Sequence, residues 1–88
     1  MPVTINDTIA LMISDDYKER FKAEYYQLKI RYIKLQDMVN KYDNGTLGFK
    51  PNCSINRLKY QLIAMSDYLN IMQDRAMWED IDLREEVL

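Results

Sequence analysis

From Phe21 to Tyr42, apolar residues return at alternating steps of four and three: Phe21, Tyr25, Leu28, Tyr32, Leu35, Val39 and Tyr42. The same rhythm recurs in Ile55, Leu58, Leu62, Met65, Leu69, Met72 and Ala76. Such spacing keeps one stripe on one helix face and suits knobs-into-holes packing. The Asn and Gly of "DNG", 43 to 45, accept the left-handed conformation that ends a helix, and Gly48 and Pro51 punctuate the connection after it. The pattern predicts a long helix over 15–42, a loop over 43–53 and a second long helix over 54–78, capped by Ser54 or Asn52. A connection this short makes the two helices antiparallel neighbours. Ahead of them, Ile5, Ile9, Met12 and Ile13 share a stripe and predict a short helix over 4–13. Ser14 is the expected cap of the first long helix, and Asp15 and Asp16 suit the positive end of its dipole. Residues 79–88 read as an acidic, thinly apolar, frayed tail. The fold class is all-α: one helical domain over 1–88, an antiparallel hairpin of two long helices behind a short N-terminal helix.

The stripes do not use up the apolar residues. At about 100° per residue, Tyr26, Ile30 and Ile33 fall nearly opposite the first stripe. Tyr60, Ile63, Tyr68 and Ile71 fall outside the second. A two-helix hairpin buries one face per helix, and soluble monomers avoid large exposed apolar patches. The chain is therefore expected to assemble as an obligate homo-oligomeric helical bundle, with fibres disfavoured if its symmetry is closed.

Composition narrows the chemistry. The 88 residues include no histidine, which removes His-based general-base, triad and zinc chemistry. Cys53 is the single cysteine; it fits a reducing compartment and reads as a packed or loop thiol rather than a nucleophile. No apolar run reaches the roughly 18 residues of a membrane span and no signal peptide opens the chain, so a cytoplasmic location without membrane contact is expected. No glycine-rich phosphate motif is present, the acids of "WEDIDLREE" lack calcium-loop geometry, and the methionines sit at packing positions. No catalytic residue, metal site or cofactor is expected.

Net charge is −2 but unevenly spread. Eight Lys/Arg face four acids between Tyr17 and Lys50, and six acids face two arginines from Asp74 onward. One flank of the first long helix, between its two apolar faces, carries Tyr17, Arg20, Glu24, Gln27, Arg31 and Lys34, with Glu24 placed to hold Arg20. Two readings stand side by side. A charged flank beside a heptad is ordinary for a solvated coiled coil whose subunits pair by charge. The same flank is also an anion site with a stacking platform: tyrosine stacks a base, arginine grips phosphate in a fork, and lysine adds a point charge. A site for nucleic-acid polymers fits less well, because the protein is acidic and its basic residues are not gathered on an open face.

The frame Tyr17, Arg20, Glu24, Leu28, Arg31, Lys34 and Leu35 resembles a pattern of small phage and prophage proteins, the anti-CBASS cyclic-nucleotide sponges. A second block, with Gln61, Met65, Tyr68 and Arg75, is similar to the second helix of that family, Met72 standing in for its leucine. The resemblance covers residues 16 to 76. It implies an all-helical homo-oligomer, a hexamer in the best-known cases. It implies a partner that is a cyclic di- or trinucleotide, such as cyclic GMP-AMP, held uncleaved in the host bacterial cytoplasm so that an immune effector stays off. Tyr17 would stack on a purine, Arg31 or Lys34 would face phosphate, and Arg20 and Glu24 would support the wall. Arg31 stands where the family pattern has lysine, and the N-terminal helix is an addition that would line, cover or block a pocket. These departures leave two further expectations open: a sponge for a cyclic ADP-ribose derivative, and a helical adaptor with no small ligand.

Overall fold

The computed structural model describes residues 3–83. Among the described residues every regular element is helical. A 3-10 turn over Asn6–Thr8 runs into α1 (Ile9–Met12), followed by α2 (Tyr17–Asp43) and α3 (Ile55–Trp78). Gln73 Nε2 donates to the Tyr25 hydroxyl at 3.0 Å near one end of the hairpin, and Lys59 meets Asp43 at 3.2 Å near the other. The two long helices therefore run antiparallel.

Asp16, rather than Ser14, caps α2. Its backbone is extended and its carboxylate accepts the Lys18 N–H at 2.9 Å. The Ser14 hydroxyl instead accepts the N–H of Asp16 at 3.1 Å, so the helix begins at Tyr17 rather than at 15. An aspartate carboxylate suits this position, where unpaired N–H groups and the positive dipole end converge. At the other end of α2, Gly45 adopts φ +78°, the Thr46 N–H reaches the Lys41 carbonyl at 2.9 Å, and the Gly45 N–H reaches Tyr42. This is a Schellman ending.

α3 closes in the same way without a glycine. Asp80 takes φ 59° and the Ile81 N–H bonds the Ala76 carbonyl at 2.8 Å, folding Ile81 back into the core. The first residues after α3 are thus packed rather than frayed; 84–88 of the expected tail lie outside the described residues.

The core gathers at the terminal end of the hairpin. Phe21, Tyr25 and Tyr26 of α2 meet Leu69, Met72 and Ala76 of α3, with Val3 and Ile81 closing over them. Further along, Leu35, Leu58, Leu62 and Met65 keep the heptad register but are only half-buried, and Tyr42 is exposed.

The N-terminal segment departs from its expected stripe. Val3 and Thr8 are buried and Leu11 packs on the core, whereas Ile9, Met12 and Ile13 face outward, Ile13 being 73 % exposed. The lead-in is a 3-10 turn with about 3.0 residues per turn, so its side chains fall out of phase with a 3.6-residue stripe. Thr8 fixes the approach: its hydroxyl donates to the Ile5 carbonyl at 2.6 Å and accepts from Gln27 Nε2 at 2.9 Å. The second apolar face of α2 is consequently shared. Tyr26 is buried within the chain and Ile30 half-buried, while Ile33 stays exposed. Tyr60, Ile63, Tyr68 and Ile71 of α3 are all exposed, in line with the pattern.

Candidate functional site

The six flank residues all lie along α2, but the structure divides them. Tyr17 is the first residue of the helix, half exposed, directly after the capping Asp16. Across from it, the last turn of α3 presents Arg75. The Arg75 guanidinium lies 4.9 Å from the centroid of the Phe21 ring, and its Nε donates to Glu79 Oε2 at 2.9 Å. The hydrogen bond that Arg75 donates to Glu79 is the largest influence raising the Arg75 pKa above its already high value; desolvation works against it, and the nearby Glu79 and Glu24 carboxylates add to the rise. Glu24 therefore acts on Arg75. Arg20, which the sequence pairs with Glu24, turns its Nη1 to the Ser14 carbonyl at 2.7 Å.

Gln27 sits at the midpoint of the flank and is half-buried. Its amide donates to Thr8 Oγ1, and at 3.6 Å to the Met12 sulfur. In this arrangement it fastens the N-terminal segment to α2. Below it, Arg31 and Lys34 are exposed and make no hydrogen bond or ion pair among the described residues. The flank thus has an upper cluster of one tyrosine face, one braced guanidinium and two carboxylates, and a lower pair of unengaged cations.

Helix rise sets these two groups apart. Seventeen residues separate Tyr17 from Lys34, about 25 Å along the axis. No single cyclic dinucleotide spans that length, so the tyrosine face and the lower cations of one chain cannot hold the same small ligand.

Arg75 is the member that reasoning on the helix flank omits, because it lies on the other helix. Its signal in the sequence is its place at the end of the second resembling block, one position before the last heptad residue Ala76. At the opposite end of the molecule, Tyr42, Gly45, Leu47, Gly48, Phe49 and Lys50 line a shallow cleft of about 370 Å³, which contains none of the six. Among the described residues there is no His/Cys/Asp/Glu group that could hold a metal, and no helix is long and apolar enough to cross a membrane.

The Sequestin family model matches residues 15–77. The match spans both blocks that carry the resemblance to cyclic-nucleotide sponges and is consistent with a family that sequesters its ligand. No curated protein and no solved structure matches the chain.

Proposed function

The chain belongs to the Sequestin family, whose name denotes sequestration rather than catalysis, and on that premise we propose a phage or prophage anti-defence protein that traps a cyclic oligonucleotide messenger. Cyclic GMP-AMP is the reference ligand. It is held, uncleaved, at the joins between identical copies, in the bacterial cytoplasm, and the immune effector that it would activate stays off. The observation that carries this reading is the upper cluster: an exposed Tyr17 face beside an Arg75 guanidinium braced by Glu79 and Phe21. A ring of this kind stacks a purine and a braced guanidinium grips a phosphate without losing much side-chain freedom. Arg31 and Lys34 supply cations to a ligand held mainly by a neighbouring copy. Arg20, Glu24 and Gln27 shape the wall, Glu24 through Arg75 and Gln27 through the N-terminal segment.

A second reading draws on the engagement of Gln27 and Arg20 within the chain. It leaves one aromatic face and one braced cation in the upper cluster, a set that suits a one-base messenger such as a cyclic ADP-ribose derivative.

A thermal-shift panel of cyclic dinucleotides, cyclic trinucleotides and ADP-ribose derivatives separates the two readings by which class raises the melting temperature. Heating the loaded protein should then return intact messenger to solution; recovery of linear product would make the protein a hydrolase. Tyr17→Ala should weaken binding by about 5- to 150-fold, the equivalent of ~1–3 kcal/mol of lost stacking, with helicity unchanged. Full anti-defence activity in Tyr17→Ala and Lys34→Ala chains would point instead to a ligand-free adaptor.

A further inference from the structure

The side of α3 turned away from α2 carries large exposed apolar side chains among its polar ones. Tyr60 is 65 % exposed, Ile63 59 %, Ile71 58 % and Trp78 76 %. At about 100° per residue, Tyr60, Ala64, Asp67, Ile71, Asp74 and Trp78 form one stripe, roughly opposite the buried Leu69, Met72 and Ala76. Its steps are four, three, four, three and four. The order of steps is the same read from either end. A second α3 laid antiparallel, with residue 69 level with residue 69, therefore meets stripe with stripe at every level. Tyr60 falls against Trp78, Ala64 against Asp74 and Asp67 against Ile71, each pairing occurring twice, as two-fold symmetry requires.

The charges agree with that orientation. From Ile55 to Ser66 the chain carries Arg57 and Lys59 and no acid. From Asp67 to Asp80 it carries Asp67, Asp74, Glu79 and Asp80 against Arg75. Parallel helices would set like signs together, and antiparallel helices set each basic half on an acidic one. Lys59 already meets Asp43 within its chain, whereas Arg57 makes no hydrogen bond or ion pair among the described residues.

We propose that two copies of this chain pair antiparallel through the outer stripe of α3, and that Arg57 of the second copy joins the Arg75–Glu79 cluster. Arg57 and Arg75 are eighteen residues apart, about five whole turns, and so share one side of the helix. The two-fold operation keeps that side in common. Tyr60 of the second copy comes level with Trp78, and Arg57 of the second copy about one turn beyond it, at the closing turn that carries Glu79 and Asp80. The pairing stands independently of any ligand; the role of Arg57 in binding rests on the sequestering reading.

The test is made on the unliganded full chain. Sedimentation should show a dimer or a whole-number multiple of it, and Ile71→Glu with Trp78→Glu should raise its dissociation constant about 30-fold or more, as loss of a buried aromatic anchor does, with helicity retained. Orientation is read by thiol linking in a Cys53→Ser background. Chains bearing Tyr60→Cys alone or Trp78→Cys alone should not link with a short bismaleimide, since like positions lie about 27 Å apart along the axis; a mixture of the two should. Linking within either single variant, a solitary native chain at micromolar concentration, or assembly indifferent to Ile71→Glu with Trp78→Glu would each overturn the pairing. Arg57→Glu separates the second clause: it should lower ligand retention at protein concentrations where the dimer still forms, and unchanged retention would remove Arg57 from the site while leaving the pairing intact.

Discussion

The two ends of the hairpin are built from the same heptads but differ in what covers them. At the terminal end, the segment before α2 and the turn after α3 close over the helix pair, and Phe21, Tyr25, Tyr26 and Met72 are sealed. At the loop end only two helices meet: Val39 is buried, but Leu35, Leu58, Leu62 and Met65 stay half-buried while Phe49, Tyr60 and Ile63 are exposed. Two helices can shield little more than the seam between them. What makes a core is a third and a fourth piece of chain, and here both are short: one helical turn and one returned isoleucine.

The difference should appear first as an imbalance in stability. Met72 is 1 % exposed at the sealed end, so Met72→Ala should cost about 2–5 kcal/mol, as loss of a buried long side chain does. Leu62, half-buried at the open end, has the same role in the heptad, and Leu62→Ala should cost less than half as much. Urea unfolding followed by circular dichroism measures both, at one fixed chain concentration because assembly feeds into apparent stability. Equal losses would mean that the open end of the seam is sealed in solution by another copy of the chain.

The next effect concerns the seal itself. Thr8 is fully buried, and its hydroxyl joins the Ile5 carbonyl to the Gln27 amide. Thr8→Val keeps the volume but leaves both partners without it, which should cost ~1–3 kcal/mol for the stranded polar groups. Protease cleavage near residues 9–13 should also quicken. If Thr8→Val matches the native chain in both measurements, the N-terminal segment does not close the sealed end.

Much of this was legible in the spacing of residues. Fourteen heptad positions, "DNG" and the short connection specify two antiparallel helices, and the structure has them. The flank from Tyr17 to Lys34 was likewise readable, because a helix fixes which residues share a side. What the pattern could not give was everything set by contact between distant segments. A 3-10 lead-in shifts the phase of Ile9, Met12 and Ile13, and no periodicity of 3.6 foretells that shift. Gln27 reads as a free amide until Thr8 arrives, and Arg75 reads as a residue of another helix until α3 brings it over Phe21. The division of the flank into an upper cluster and a lower cation pair is therefore a tertiary fact.

The smallest effect compares how the two long helices end. Both close on a left-handed residue followed by an N–H returned to the carbonyl five residues before it, one around Gly45 at φ +78° and one around Asp80 at φ 59°. A Cβ at Gly45 would meet nothing within 4 Å, so Gly45→Ala should cost only the left-handed strain, about 1 kcal/mol. Asp80 already bears such strain, reduced because aspartate tolerates this conformation better than most residues. Asp80→Gly should therefore stabilise, but by less than ~1 kcal/mol, since glycine also gains freedom in the unfolded chain. The Lys18 ammonium bonds the Asp80 carbonyl, a backbone group, and is kept in the variant. A loss of stability on Asp80→Gly would mean that the carboxylate does something the turn alone does not require. The acidic end of α3 would then be held for its charge, as a face for Arg57 of a second copy would demand.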